Sequence, residues 1–168
     1  MGVEFAWTIP MTLTDPALIQ TVDTTQRSLS SAPVAEDIAQ THGPLCAALQ
    51  ALPLPCVVTD PRRDDNPMVF VNDAFCRLTG YGREELVGRN CRLLQGEATD
   101  RKAVIELRDA IQSREPIGTD VINHRRDGTA FVNSLVVVPV YDDSGVALYL
   151  GIQSSPNMPL TLASLAGA

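Results

Sequence analysis

The constraint that most narrows the fold is a change of hydrophobic period in the last third of the chain. From Thr99, Val104, Leu107, Arg108 and Ile111 recur on one helical face; from Ile117 the period drops to two. Ile117 to Arg125, Thr129 to Val140 and Val146 to Gln153 read as three strands, joined by turns at Arg126-Asp127-Gly128 and Asp143-Ser144-Gly145. Such a meander must bury one face, so further elements have to pack on it. Cys56 to Thr59 and Met68 to Val71 supply two more short strands, joined by the turn-rich stretch Asp60 to Pro67. Asn72 or Asp73 can cap a helix from Ala74 to Thr79 that Gly80 stops. Two strands, several short helices and a meander predict an α+β domain with one antiparallel sheet.

That domain runs over residues 55–154. Ahead of it, residues 1–33 carry little periodicity and many Thr, Ser and Pro residues, which predicts a weakly structured arm. A helical pattern begins at Val34, breaks at His42-Gly43-Pro44, resumes through Leu45 to Leu49, and ends at Pro53. Residues 1–54 therefore read as an arm and helical cap, and residues 155–168 as a short tail. No internal repeat is visible.

Charge and composition exclude several classes of function. Hydrophobic residues make up 45% of the 168 and charged residues 20%, enough for a packed core. With 13 basic and 20 acidic residues the formal charge is −7, which argues against a broad basic surface for nucleic acid or an anionic membrane. The uncharged stretches Ile38 to Thr59 and Ser144 to Ala168 are broken by prolines and do not read as membrane spans. The start has no positive n-region, and Ala6 stands where N-myristoylation needs Ser or Thr. Cys46, Cys56, Cys76 and Cys91 lack CxxC spacing, so neither zinc nor disulfides are expected, and the setting is taken as reducing and cytoplasmic. His42 and His124 have no nucleophile at motif spacing, and no metal-ligand cluster is evident, so no enzyme is predicted.

The densest cluster of chemistry-bearing side chains is Gly88-Arg89-Asn90-Cys91-Arg92-Leu93-Leu94-Gln95. Read alone, Cys91 is a small core hydrophobe, but its arginine and amide neighbours suggest a polar pocket beside the thiol. The run resembles the G-x-N-C-R-F-L-Q signature of LOV domains, the blue-light-sensing flavoproteins of the PAS superfamily, with Leu93 in place of Phe. The resemblance extends over residues 55–154. It takes in Thr-Asp-Pro at Thr59, Asp-Asn-Pro at Asp65, Thr-Gly-Tyr at Thr79 and Leu-Arg-Asp-Ala-Ile at Leu107. Asn-His-Arg-Arg-Asp-Gly at Asn123, Phe-Val-Asn at Phe131 and Gly-Ile-Gln at Gly151 complete it.

The resemblance implies a PAS/LOV fold, one five-stranded antiparallel sheet with short helices around a flavin pocket. It also implies that light drives a reversible covalent bond from Cys91 to the flavin carbon C4a, with N5 gaining a proton. Arg92 and Arg108 are then candidates for the terminal phosphate, which suits arginine's planar fork. Asn123 and Asn133 would meet the pyrimidine edge, and Gln153 would lie near O4 and N5 as the relay of the signal. Asn90 and Gln95 would hold other polar atoms, with Thr59 and Asn66 more peripheral. Val57, Leu94, Val104, Leu107, Ile111, Val121, Leu135 and Val137 would form apolar walls, though ordinary core describes them equally well. The short loop between Gln95 and Thr99 favours FMN over FAD or riboflavin. Val132 and His124 depart from a common Trp and Tyr of the family.

The expected function is a photoreceptor module whose light-driven bond alters contacts of the cap, the tail or a dimer interface. The expected partners are a second copy, through the sheet face and cap, and a possible separate effector, with neither nucleic acid nor membrane. Val136, Val138 and Val140 would form the apolar outer patch that such contacts cover. The alternative is a flavin redox or PAS interaction module that ignores light.

Overall fold

The computed structural model describes residues 33–154, with side chains from His42 onward. The elements in order are α1 (Pro33–Ala51), β1 (Cys56–Thr59), β2 (Met68–Val71), α2 (Asp73–Thr79) and α3 (Arg83–Leu86). A 3₁₀ turn (Cys91–Leu94), α4 (Arg101–Ser113), β3 (Ile117–His124), β4 (Ala130–Asp142) and β5 (Gly145–Ser154) follow. The five strands form one sheet in the order β2-β1-β5-β4-β3, and every pair described is antiparallel. The meander forms as its alternation predicts. Gly128 (φ 85°) and Gly145 (φ 119°) supply the positive dihedrals that its two turns require. The arm of residues 1–32 and the tail of residues 155–168 lie outside the described residues.

β1 and β2 show no alternation, because every residue of both is buried. Val57 and Thr59 face one side of β1, while Cys56 and Val58 face α1. A bulge leaves Val69 without a partner between the Val58–Phe70 and Thr59–Met68 pairs. It lets the consecutive residues Val69 and Phe70 both join the cluster under the cap helix. In that cluster Cys46 and Leu49 of α1 pack on Cys56, Val58, Val69, Phe70, Ala147 and Leu148.

The break expected at His42-Gly43-Pro44 is a kink within one helix: His42 leaves helical geometry (φ −128°, ψ 24°) two residues before Pro44. Pro44 has no N–H for the Gln40 carbonyl, and its ring crowds that turn. Of the outer patch, Val136 is fully buried, Val140 packs against the cap cluster and Val138 is half-buried.

Two helix starts are settled by side-chain oxygens. Asn72, not Asp73, caps α2, its Oδ1 accepting from the Phe75 amide at 2.9 Å. Asp100 caps α4 through the Lys102 amide at 2.9 Å, so the helix begins at Arg101, two residues after the Thr99 start that the pattern predicts. Thr99 instead sews the preceding loop to β3, its Oγ1 accepting from the Gly96 amide and donating to the Ile122 carbonyl at 2.6 Å.

Asn72 does more than cap. Its Oδ1 also accepts from the Cys56 amide at 3.0 Å, and its Nδ2 donates to the carbonyls of Leu49 at 3.0 Å and Leu54 at 2.8 Å. One fully buried amide thus joins the end of α1, the start of β1 and the start of α2. Asn72→Ala orphans the buried Cys56 amide and removes the bonds to the Leu49 and Leu54 carbonyls and the Phe75 amide, and is expected to cost about 2–4 kcal/mol in urea unfolding. A loss below about 1 kcal/mol would show that water takes over these bonds.

Candidate functional site

The inner face of the sheet and the helices opposite enclose a cavity of about 780 Å³, solvent at its mouth included. On the sheet side it is lined by Val57 and Thr59 of β1, Val121 and Asn123 of β3, Asn133, Leu135 and Val137 of β4, and Tyr149, Gly151 and Gln153 of β5. Opposite stand Phe75 of α2, the run from Asn90 to Gln95 except Leu93, Leu107 and Ile111 of α4, and Asn66. Period-two alternation puts Asn133 with Val137 and Gln153 with Tyr149 on the same face of their strands. Gly151 keeps the floor open: a Cβ there would sit 2.9 Å from Val57 Cγ1 and 3.1 Å from Gln153 Nε2.

The polar groups of this cavity are incompletely paired. Asn133 Nδ2 donates to Asn123 Oδ1 at 2.9 Å. Among the described residues, the buried atoms Asn66 Oδ1, Asn133 Oδ1 and Gln153 Oε1 have no hydrogen-bond partner, and all three residues line the cavity. A buried amide oxygen without a partner is costly, so these atoms are suited to a ligand with polar edges. Apolar walls with amides along one side match a flat heteroaromatic ring, and the residues present therefore fit a flavin.

Cys91 opens the 3₁₀ turn, which Asn90 caps by accepting from the Arg92 amide at 2.9 Å. The residue is half-buried overall, but protein surrounds the thiol, and this burial pushes its pKa up to about 12. A smaller opposing influence comes from the Cys91 backbone hydrogen bond. Cys46 and Cys56 are pushed by burial up to about 11. All four cysteines are free thiols.

Of the residues singled out in the sequence, Thr59, Asn66, Asn90, Cys91, Arg92, Gln95, Asn123, Asn133 and Gln153 come together around the cavity. Arg108 and Val104 do not: they line an adjoining recess that shares Gln95 and also holds Thr99 and Arg101. Phe75, Tyr149 and Gly151 were missed. Tyr149 and Gly151 share strand parity with Gln153, a signal that was available; Phe75 carries none beyond helical spacing. Tyr149 also donates to the Ile111 carbonyl at 2.6 Å, tying β5 to the end of α4. His124 presses on Gly96, where an added Cβ would lie 2.5 Å from the imidazole.

A PAS domain model matches residues 54–153. The LOV domain of an Erythrobacter litoralis blue-light activated histidine kinase superposes with a TM-score of 0.60 at 42% identity, covering 62% of this chain and 97% of that one. A blue-light photoreceptor of Listeria monocytogenes is 43% identical over 97 residues, 58% of this chain and 38% of that protein. A blue-light-activated histidine kinase of Brucella ovis is 43% identical over 108 residues, 64% of this chain and 22% of that protein. The chain belongs to the PAS domain family and, within it, to the LOV domains. It spans well under half the length of either curated relative. No helix among the described residues is long and apolar enough to cross a membrane.

The raised thiol pKa values have a sign that can be tested. An unfolded thiol near 9 loses its proton before the folded ones near 11 and 12, so the stability they contribute is intact below pH 9. It is lost as pH rises from 9 towards 12. Native Cys91 is expected to react with iodoacetamide at pH 8 roughly a hundredfold or more slowly than a free thiol. Alkylation at a free-thiol rate would place the thiolate within ordinary reach.

Proposed function

We propose that this chain is a blue-light sensor module that holds FMN in the cavity and reports light through the Cys91 thiol. The observation that carries the proposal is the Cys91 thiol on the wall of a cavity whose facing strands present unpaired amide oxygens. The names of its LOV relatives support the blue-light sense of it. A bound flavin supplies light absorption and, when excited, a ring carbon reactive toward a thiol. Cys91 provides both the sulfur and the proton, so it needs proximity rather than ionisation, which suits its burial. Asn123, Asn133 and Asn66 would hold the polar ring edge, and Leu107, Ile111, Leu135 and Val137 the apolar faces. Arg92 at the mouth and Arg108 in the adjoining recess suit a terminal phosphate. The short loop from Gln95 to Thr99 favours FMN over FAD.

The chain's share is the sensing step, and its output passes through the cap to a second copy or a separate effector. Gln153 supports that route. Its side-chain amide can donate to an unprotonated ring nitrogen but must accept from a protonated one, so its preferred orientation reverses with light. Its backbone amide donates to the Pro55 carbonyl at 2.9 Å, beside the Leu54 carbonyl that Asn72 holds. A change at Gln153 therefore meets the linker from the cap directly. One altered hydrogen bond offers about 1 kcal/mol, enough for a several-fold population shift.

Cys91→Ala is expected to keep a bound flavin that fluoresces steadily and is never bleached by blue light in absorption spectra. Reversible bleaching in that variant would assign the photochemistry elsewhere. Arg92→Ala and Arg108→Ala are each expected to weaken FMN by about three- to tenfold while barely changing riboflavin, measured by fluorescence titration. Gln153→Leu should still bleach, but light should no longer alter hydrogen exchange at residues 45–54. A full exchange response would remove Gln153 from the route.

A further inference from the structure

Arg92 lines the cavity, yet its guanidinium is already engaged: Nη2 pairs with the carboxylate of Asp65. Both side chains are more than half exposed, at 57% and 55%, so the pair stands at the mouth rather than in the core. Asp65 is held there by its backbone. Asp65 and Asn66 occupy the left-handed region (φ 70° and 46°), and Asn90 Nδ2 donates to both of their carbonyls. Asn90 also caps the turn that carries Cys91 and Arg92. One asparagine therefore fixes the acidic loop against the basic turn. In the same loop, Arg63 Nε donates to Asp60 at 3.0 Å, and Arg62 Nη1 to Asp142 at 2.9 Å.

We propose that Asp65 is a specificity-determining counter-charge: it occupies Arg92 and sets how strongly the cavity prefers a flavin with a terminal phosphate over one without. A guanidinium has five donors and can hold a carboxylate and a phosphate together, but the two anions repel each other across it. The dianionic phosphate of FMN feels that repulsion, whereas the terminal hydroxyl of riboflavin does not. Asp65 thus narrows the discrimination that Arg92 would otherwise provide, and it leaves FMN more readily exchanged. The proposal rests on flavin occupancy of the cavity.

Asp65→Asn is the discriminating variant, because asparagine accepts a positive φ at least as readily as aspartate and leaves the loop backbone unstrained. In dark fluorescence titrations of the full chain at low salt, Asp65→Asn is expected to tighten FMN about two- to fivefold and to leave riboflavin unchanged. The gain should shrink at high salt, since exposed charges are screened. In an Arg92→Ala background the same substitution should change the FMN-to-riboflavin preference less, because only the direct repulsion between carboxylate and phosphate remains. An unchanged or lowered preference for FMN in Asp65→Asn overturns the proposal, as does a gain that is undiminished without Arg92. Flavin binding and blue-light bleaching of the parent, recorded on the same preparations, answer separately for the photoreceptor function.

Discussion

The arrangement hangs on the buried carboxamide of Asn72. An asparagine side chain offers two donors and an acceptor oxygen with two lone pairs, and this one uses both ends across three elements. Without it, the Cys56 amide at the start of β1 would lose its partner, and the Leu49 and Leu54 carbonyls and the Phe75 amide would each lose one of their bonds. Its value comes from location: in a fully enclosed site, water cannot replace a lost bond at low cost. The same amide brings the cap linker beside the last strand, so the cap and the sheet's inner face share one junction.

The second organising amide is Asn90. It performs for the functional turn what Asn72 performs for the cap, capping a short helix with its oxygen and holding a distant loop with its nitrogen. Cys91 and Arg92 follow it directly, so the thiol, the mouth cation and the acidic loop are fixed relative to one another by local geometry. The sheet opposite is rigid for a different reason. β1 is buried on both faces and pairs with β5 on one side and β2 on the other, bringing Val57 and Thr59 into line with Gly151 and Tyr149. A stiff floor facing a short, capped turn keeps a cavity open between them.

That open cavity sets the energetics of the site. Its buried amide oxygens have no partner within the protein, and a ligand with polar edges would supply one. Burial also holds the Cys91 thiol pKa up. Desolvation thus acts twice, on the amides and on the thiol.

Local signals in the sequence determined the strands, the meander turns, the kink before Pro44 and the motif around Cys91, because each depends on residues adjacent in the chain. Strand parity put Asn123, Asn133 and Gln153 on faces that could converge, and family resemblance joined them to Cys91. Tertiary structure decided the rest. The strand order, with β5 between β1 and β4, depends on pairings between distant segments that period-two alternation does not specify. The choice of Asn72 over Asp73, and the start of α4 at Arg101 behind an Asp100 cap, depended on which oxygen the packed chain aims at a free amide. The pairing of Arg92 with Asp65, and the placing of Arg108 in a neighbouring recess, followed from how two loops and a helix meet. A side chain's type is written in the sequence; its partner is fixed only when the chain closes around it.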